Sequence, residues 1–350
     1  MTLEPYTAVL FASYGGPNES ADVLPFMRNA TAGRGIPDER LIEVSKHYEL
    51  FGGRSPINEL NAALMDAVRA ELRLRGVDVP VVIGNRNWHP YFADTVQGLV
   101  DDGHQRVVAL ATSAYSSYSG CRQYCEDLER AAEPRGIRID KVDPFGGTPG
   151  FVSANARALV EAVRRLRQRI GDAALRVLFV THSIPTAMNE ASSTGEPERR
   201  YDAQHLRVAA AVAAEASTAL GEDLSWELTF CSRSGAPHIP WLEPDVNDRM
   251  PEVQDEGVAG VVAAPIGFIS DHMEVAYDLD IQAKETAEGL ALPYERAATV
   301  GTDEGFVSLL VDQLLAKAAA ARGEATSVGR CRFSTGRCCL PRPEVQEGTP

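Results

Sequence analysis

One alternation runs almost the whole length of the chain and constrains the fold more than any other feature. Six short apolar runs, Thr7–Ser13, Val79–Ile83, Arg106–Ala111, Leu175–Val180, Ser225–Phe230 and Val258–Ala264, are separated by longer amphipathic or alanine-rich segments. Runs apolar on both faces read as strands buried on both faces, and the segments between them have the length of helical crossovers. Helices are predicted over Glu19–Asn29, capped near Asn18, and over Glu39–Leu50, Asn58–Leu74, Phe92–Asp101 and Cys121–Ala132. Further helices are predicted over Ser153–Ile170, Tyr201–Leu220, Asp271–Thr286 and Gly305–Arg322. The expected class is α/β with a parallel sheet covered on both faces.

The alternation repeats. Val9–Pro17 (VLFASYGGP) and Val177–Pro185 (VLFVTHSIP) align without gaps and set Tyr14 opposite His182. Val107–Ser116 pairs with Val261–Ser270, and Val82–Asn87 pairs with Thr229–Ser234, which would set Arg86 opposite Arg233. The expectation is two similar, doubly wound (Rossmann-like) parallel-sheet domains facing each other across a cleft, residues 1–146 and 147–322, with a tail at 323–350. Ligands of open α/β sheets bind beyond the carboxyl ends of the strands, so the cleft would collect Tyr14, Arg86, Tyr124, His182, Arg233 and the helix after Pro265.

That helix carries the densest set of ionisable groups. From Asp271 onward Glu274, Asp278 and Gln282 recur every fourth residue and share one face of a regular helix. Two readings compete. Asp271 is a good N-cap with Glu274 at the N3 position of a capping box, which needs no further function. Alternatively, acidic groups on a helix that follows a buried strand form the wall of a site. His182 is similarly open. A histidine at the carboxyl end of a strand suits proton transfer or metal contact, and a lone one is more often structural.

The chain has a net charge of −15, which argues against nucleic acid and anionic lipid as partners. The N-terminus lacks the basic segment of a secretory signal, and no apolar run reaches the eighteen or so residues that span a bilayer. A soluble cytoplasmic protein is expected. There is no P-loop, no G-x-G-x-x-G after a strand and no G-x-S-x-G elbow; Ser183, next to His182 in sequence, is not placed as that histidine's nucleophile. In a reducing compartment the six cysteines are expected to be free or metal-bound. Cys331, Cys338 and Cys339 crowd the tail, and three thiols there suggest a metal centre that needs a fourth ligand from Cys121, Cys125 or Cys231. The spacing permits zinc or an iron–sulfur cluster.

Several stretches together resemble the ferrochelatase family: Val180–Pro185 (VTHSIP), Pro265–Asp280 (PIGFISDHMEVAYDLD), Phe51–Asn58 (FGGRSPIN), Gly84–Tyr91 (GNRNWHPY) and Pro240–Val246 (PWLEPDV). They stand in family order over nearly the whole chain, and the short form resembles the actinobacterial coproporphyrin ferrochelatases. The resemblance implies a chelatase-like fold and an enzyme, a lyase, that inserts Fe²⁺ into coproporphyrin III. It makes His182 the inner base, Glu274 its partner and Asp278 the next group outward. His272 would shape that wall and Tyr14 would lie on the opposite porphyrin face. It assigns the propionates to Thr31, His47, Ser55 and Tyr124, beside which Arg34, Arg54 and Arg86 are cationic candidates. It also implies a [2Fe–2S] cluster on Cys121, Cys331, Cys338 and Cys339. The expected partners are porphyrin and Fe²⁺, with no nucleic acid and no membrane insertion, and the expected state is a monomer. Three other readings remain: a protoporphyrin IX ferrochelatase, a cobalt chelatase acting on a sirohydrochlorin-type ring, and a two-lobed heme or metal carrier without turnover. A carrier needs no proton acceptor, so the acidic row speaks against it.

Overall fold

The computed structural model describes residues 2–33, 35–193, 195–234, 238–324 and 338–340. Arg34 and Cys331 lie outside the described residues. Eight strands form two four-stranded parallel sheets. The first contains β1 (Val9–Ser13), β2 (Val81–Asn85), β3 (Arg106–Ala111) and β4 (Arg138–Lys141), in the order β2-β1-β3-β4. The second contains β5 (Leu175–His182), β6 (Trp226–Cys231), β7 (Gly260–Ala264) and β8 (Tyr294–Arg296), in the order β6-β5-β7-β8. The six apolar runs are β1, β2, β3, β5, β6 and β7. The remaining two strands, β4 and β8, each at one edge of its sheet, carry charged residues in exposed or half-buried positions and gave no apolar signal.

Register tests the internal repeat. Val9 lies opposite Val108 in the first sheet and Val177 opposite Val262 in the second, so the first and third sequence pairings are the structural ones. The middle pairing slips by two residues. Val9 faces Val81 while Val177 faces Trp226, which sets Asn85 against Phe230 and Arg86 against Cys231, not against Arg233. A shared loop geometry confirms this register: the Asn85 amide donates to Pro90 at 2.8 Å and the Phe230 amide donates to Pro244 at 2.9 Å. The slip was invisible in sequence because these two strands share little beyond a mixed apolar pattern.

The lobes share one core. Phe11, Leu110 and Tyr115 of the first lobe and Phe179, Val262 and Ile266 of the second belong to a single cluster of buried residues. The last helix, Glu304–Ala321, is capped by Asp303, whose Oδ1 accepts the Phe306 amide at 3.0 Å. It returns to the first lobe, where Arg75 binds Asp312 and donates to the Ser308 hydroxyl at 2.7 Å.

Two helices depart from regularity at equivalent places. The segment after β3 begins as a π-turn, Tyr118–Arg122, before the α-helix Gln123–Ala132. The segment after β7 runs as Met273–Tyr277, a π-turn at Asp278–Gln282, then Ala283–Gly289, in place of the single helix expected over Asp271–Thr286. Gln282 closes that π-turn. Such insertions are rare and concentrate at functional sites.

Candidate active site

β5 delivers His182 at its end, beside Cys231 on β6. The return of the chain after β7 must pass close to Thr181. A Cβ on Gly267 would stand 2.2 Å from the Thr181 hydroxyl, so only glycine fits. The next turn brings Asp271, His272 and Glu274 to the same edge.

Asp271 does not cap the helix. His272 occupies the N-cap, its Nδ1 accepting the Glu274 amide at 3.1 Å. Asp271 and Asp280 together hold the Arg296 guanidinium, at 2.9 and 2.6 Å, and Thr299 donates to Asp271 at 3.0 Å. Glu274 is thereby released from a capping box. Its Oε2 lies 3.5 Å from His182 Nε2 and 3.8 Å from His272 Nδ1.

The His182 ring is oriented from behind. Its Nδ1 donates to the Ser183 carbonyl, which fixes the proton there and leaves Nε2 toward Glu274. Burial opposes charge on this imidazole, but the Glu274 carboxylate and the Ser183 carbonyl outweigh it and raise its pKa to about 9. Burial lowers the pKa of His272, with His182 adding to the effect and Glu274 opposing it. Asp278 lies deeper. Burial, reinforced by Glu274, lifts it to about 7 against the hydrogen bond from Ser232. Ser232 follows β6 with φ +60°, a conformation uncommon for a residue with a side chain. Its link to Asp278 was not visible in sequence, since a serine near a strand end has no distinguishing pattern.

The first lobe supplies the opposite wall. Tyr14, at the end of β1, is 38% exposed and meets Phe26 edge-on at 6.1 Å. Tyr48 lies between the lobes, where the charges of Glu274 and Tyr14 both act on it and burial chiefly raises its pKa. His47 stacks on Tyr277 at 3.8 Å and 10°, joining the helix Asp38–Glu49 to the helix that carries Glu274. Sequence reasoning passed over Tyr48, whose contacts come only from tertiary packing.

The expected propionate residues are more dispersed. Ser55 is buried beside Gly16, and the Thr31 hydroxyl donates to the Met27 carbonyl at 2.7 Å. Arg54 pairs with Glu59 at 3.0 Å on the surface. Arg86 lies 4.1 Å over the buried Tyr124 ring and binds Asp127 at 2.5 Å, both partners of this ion pair being 11% exposed. Its Nη2 is buried without a hydrogen-bond partner, and so are Asn61 Oδ1, Asn85 Oδ1 and Asn87 Nδ2.

The tail returns to the junction of the lobes. Cys338 and Cys339 are buried, as is Cys121. Arg122 donates to the Cys338 carbonyl at 3.0 Å, the Cys339 amide donates to Ser193 at 2.6 Å, and the Ser193 amide meets Cys339 Sγ at 3.1 Å. Cys125, a free thiol, hydrogen-bonds with Cys121, and that bond together with burial raises its pKa. Among the described residues no group of three or more His, Cys, Asp or Glu side chains is placed to hold a metal ion, and no helix is long and apolar enough to cross a membrane.

Comparison with known proteins agrees with this geometry. The family model described as ferrochelatase matches residues 6–318. The coproporphyrin III ferrochelatase of Streptomyces coelicolor is 49% identical, covering 95% of this chain and 90% of its own length. That of Corynebacterium glutamicum (strain R) is 38% identical, covering 100% of this chain and 98% of its own length. Among solved structures, the sirohydrochlorin chelatase SirB of Bacillus subtilis subspecies spizizenii, in complex with cobalt, superposes with a TM-score of 0.50 at 14% identity. It covers 91% of this chain and 98% of its own. At that identity the likeness concerns the fold alone: two parallel sheets flanked by helices.

Proposed function

The chain belongs to the ferrochelatase family, and from that premise we propose that it inserts Fe²⁺ into coproporphyrin III to give iron coproporphyrin III, a lyase step of heme biosynthesis. One observation carries the mechanism: His182 Nε2 stands 3.5 Å from Glu274 at the end of a buried strand. Metal insertion releases two pyrrole protons, so the site needs a base and an exit. With its pKa at about 9, His182 is an imidazolium held by Glu274 at neutral pH. An approaching dication repels that proton toward Glu274. Nε2 is then bare and can accept from a pyrrole nitrogen. Asp278, at about 7, gains and loses a proton near neutrality and forms the next stop along the row. His272 turns Glu274 toward the cleft, and Tyr14 bounds the far porphyrin face.

The macrocycle would lie between the Tyr14 wall and the His182 wall, its propionates reaching Ser55, Tyr124, Thr31 and His47. Arg54 and Arg86 already hold carboxylates, so a propionate there competes with Glu59 or Asp127. Entry of the ring requires the His47–Tyr277 stack to open. The lobes divide near residue 146, and the protein acts as a cytoplasmic monomer.

The donor chemistry at the tail fits a [2Fe–2S] cluster. Cys121, Cys338 and Cys339 are buried soft thiols, and Arg122, next to Cys121 in sequence, donates to the Cys338 carbonyl. Cys331 would complete the set. When bound, the cluster would supply a four-thiolate crosslink between the tail and the first lobe, and no step of insertion runs through it.

Anaerobic assay with Fe²⁺ tests the substrate. Coproporphyrin III should turn over faster than protoporphyrin IX, and the reverse order would overturn the assignment.

A further inference from the structure

β5 outruns one of its neighbours. β7 stops at Ala264, opposite Phe179, whereas β6 continues to Cys231, opposite His182. On the β6 side the Ser183 amide donates to the Cys231 carbonyl at 2.8 Å. On the other side the Gly267 amide still reaches the Val180 carbonyl at 3.2 Å, and there the chain turns away. The His182 carbonyl, two residues on and facing the same way, is met instead by the Tyr201 hydroxyl at 3.0 Å.

Tyr201 is itself held in a buried network. Its oxygen lies 2.7 Å from Thr181 Oγ1, which lies 3.0 Å from His205 Nε2, and His205 Nδ1 lies 2.7 Å from the Tyr201 carbonyl. Tyr115 of the first lobe stacks on His205 at 3.6 Å and donates to the Ile266 carbonyl at 2.9 Å. The protons can be counted. A carbonyl only accepts, so His205 Nδ1 carries hydrogen. Burial lowers this histidine's pKa to about 3, so the ring is neutral and Nε2 accepts from Thr181. Thr181 has then spent its one proton and must accept from Tyr201, whose single proton is shared between Thr181 Oγ1 and the His182 carbonyl. Thr181, Tyr201 and His205 are all buried, so Thr181 Oγ1 has no water to turn to.

We propose that Tyr201 is a positioning residue: its hydroxyl, oriented by Thr181 and His205, fixes the main chain of His182 where the sheet no longer does, and so aims the imidazole at Glu274. This rests on the reading of His182 as the base for iron insertion.

The test compares Tyr201→Phe, Thr181→Val and Thr181→Ser. In anaerobic iron insertion, Tyr201→Phe, which removes the donor to the His182 carbonyl, and Thr181→Val, which removes the hydroxyl that orients it, should each lower kcat about tenfold, with KM for coproporphyrin III within about twofold of wild type. Thr181→Ser, which keeps the hydroxyl, should restore the rate. The ¹⁵N signals of the His182 ring, assigned by their disappearance in His182→Ala and recorded without iron or porphyrin, should shift in the first two variants and not in Thr181→Ser. Thermal midpoints identify a variant that fails to fold, and the other hydroxyl deletion then carries the test. Unchanged ring signals, or a loss confined to KM, would overturn the proposal. An inactive wild type would sink the assigned reaction and leave the ring signals to decide this one.

Discussion

The two lobes share one strand order and put opposite chemistry at their strand ends. In the second lobe β5 and the turn after β7 present ionisable groups to the cleft: His182 with a 30% exposed side chain and Glu274 with 48%. In the first lobe the corresponding ends present neutral amides and a hydroxyl, Ser13, Asn85 and Asn87, all buried, and Asn61 of the helix Ile57–Leu74 donates to Ser13. The guanidinium of Arg86, next to Asn85, pairs with Asp127. Tyr14 and His182 occupy the same position of the same repeat. The difference teaches that the shared fold fixes where a ligand lies, while the residue at the strand end fixes what is done to it. The strand ends of the second lobe carry titratable groups, and the equivalent strand ends of the first are neutral.

The sharpest test of this asymmetry is the pair of equivalent residues. His182→Ala should lower iron insertion by about a thousandfold, within the range for loss of a general base, with coproporphyrin III binding retained by fluorescence quenching. Tyr14→Phe should cost less than about tenfold, because it removes no proton acceptor. Equal losses would break the comparison. Next, Glu274→Gln keeps the shape of the wall and removes its charge. About a hundredfold loss in kcat is expected, with an unchanged far-ultraviolet spectrum.

In the first lobe, charge matters to stability instead. Asp127→Asn strands a buried guanidinium and should cost about 3 kcal/mol in urea unfolding. Glu59→Gln, at the exposed Arg54 pair, should cost less than about 1 kcal/mol. Similar values for the two would mean that Arg86 is not buried as described. The last test concerns acid. His205 has a folded pKa of about 3, below its unfolded value near 6.5, so the unfolded chain binds the extra proton. The stability this gives is fully present above pH 6.5 and is lost as pH falls toward 3, by at most about 1.4 kcal/mol per pH unit. His205→Gln should flatten that slope in a series of thermal midpoints, and an unchanged slope would assign it to other groups.

Six of the eight strands and most helices were legible in sequence because burial leaves an apolar run that needs little context to interpret. Phe92–Asp101 and Tyr201–Leu220 match their predicted bounds. β4 and β8 were not legible, since a charged run of three or four residues resembles a loop. His182, Glu274 and Asp278 stood out as candidates from their place at a strand end and their helical spacing, and their roles came only from the family resemblance. Their relation was not. The capping box predicted for Asp271 and Glu274 rests on local geometry, and a long-range contact displaced it when Arg296 on β8 took Asp271. Tyr48, Ser232 and Tyr201 carry no sequence signal, because their partners lie 226, 46 and 20 residues away at Glu274, Asp278 and Thr181.

The sequence by itself thus determined the class of fold and its duplication, which follow from short-range periodicity, and offered His182, Glu274 and Asp278 as candidate reactive groups. Tertiary structure alone decided which residues of β2 and β6 are equivalent, the π-turn over Asp278–Gln282, and the 3.5 Å between His182 and Glu274. Such distances are set where distant segments pack together, and only the folded chain brings those segments into contact.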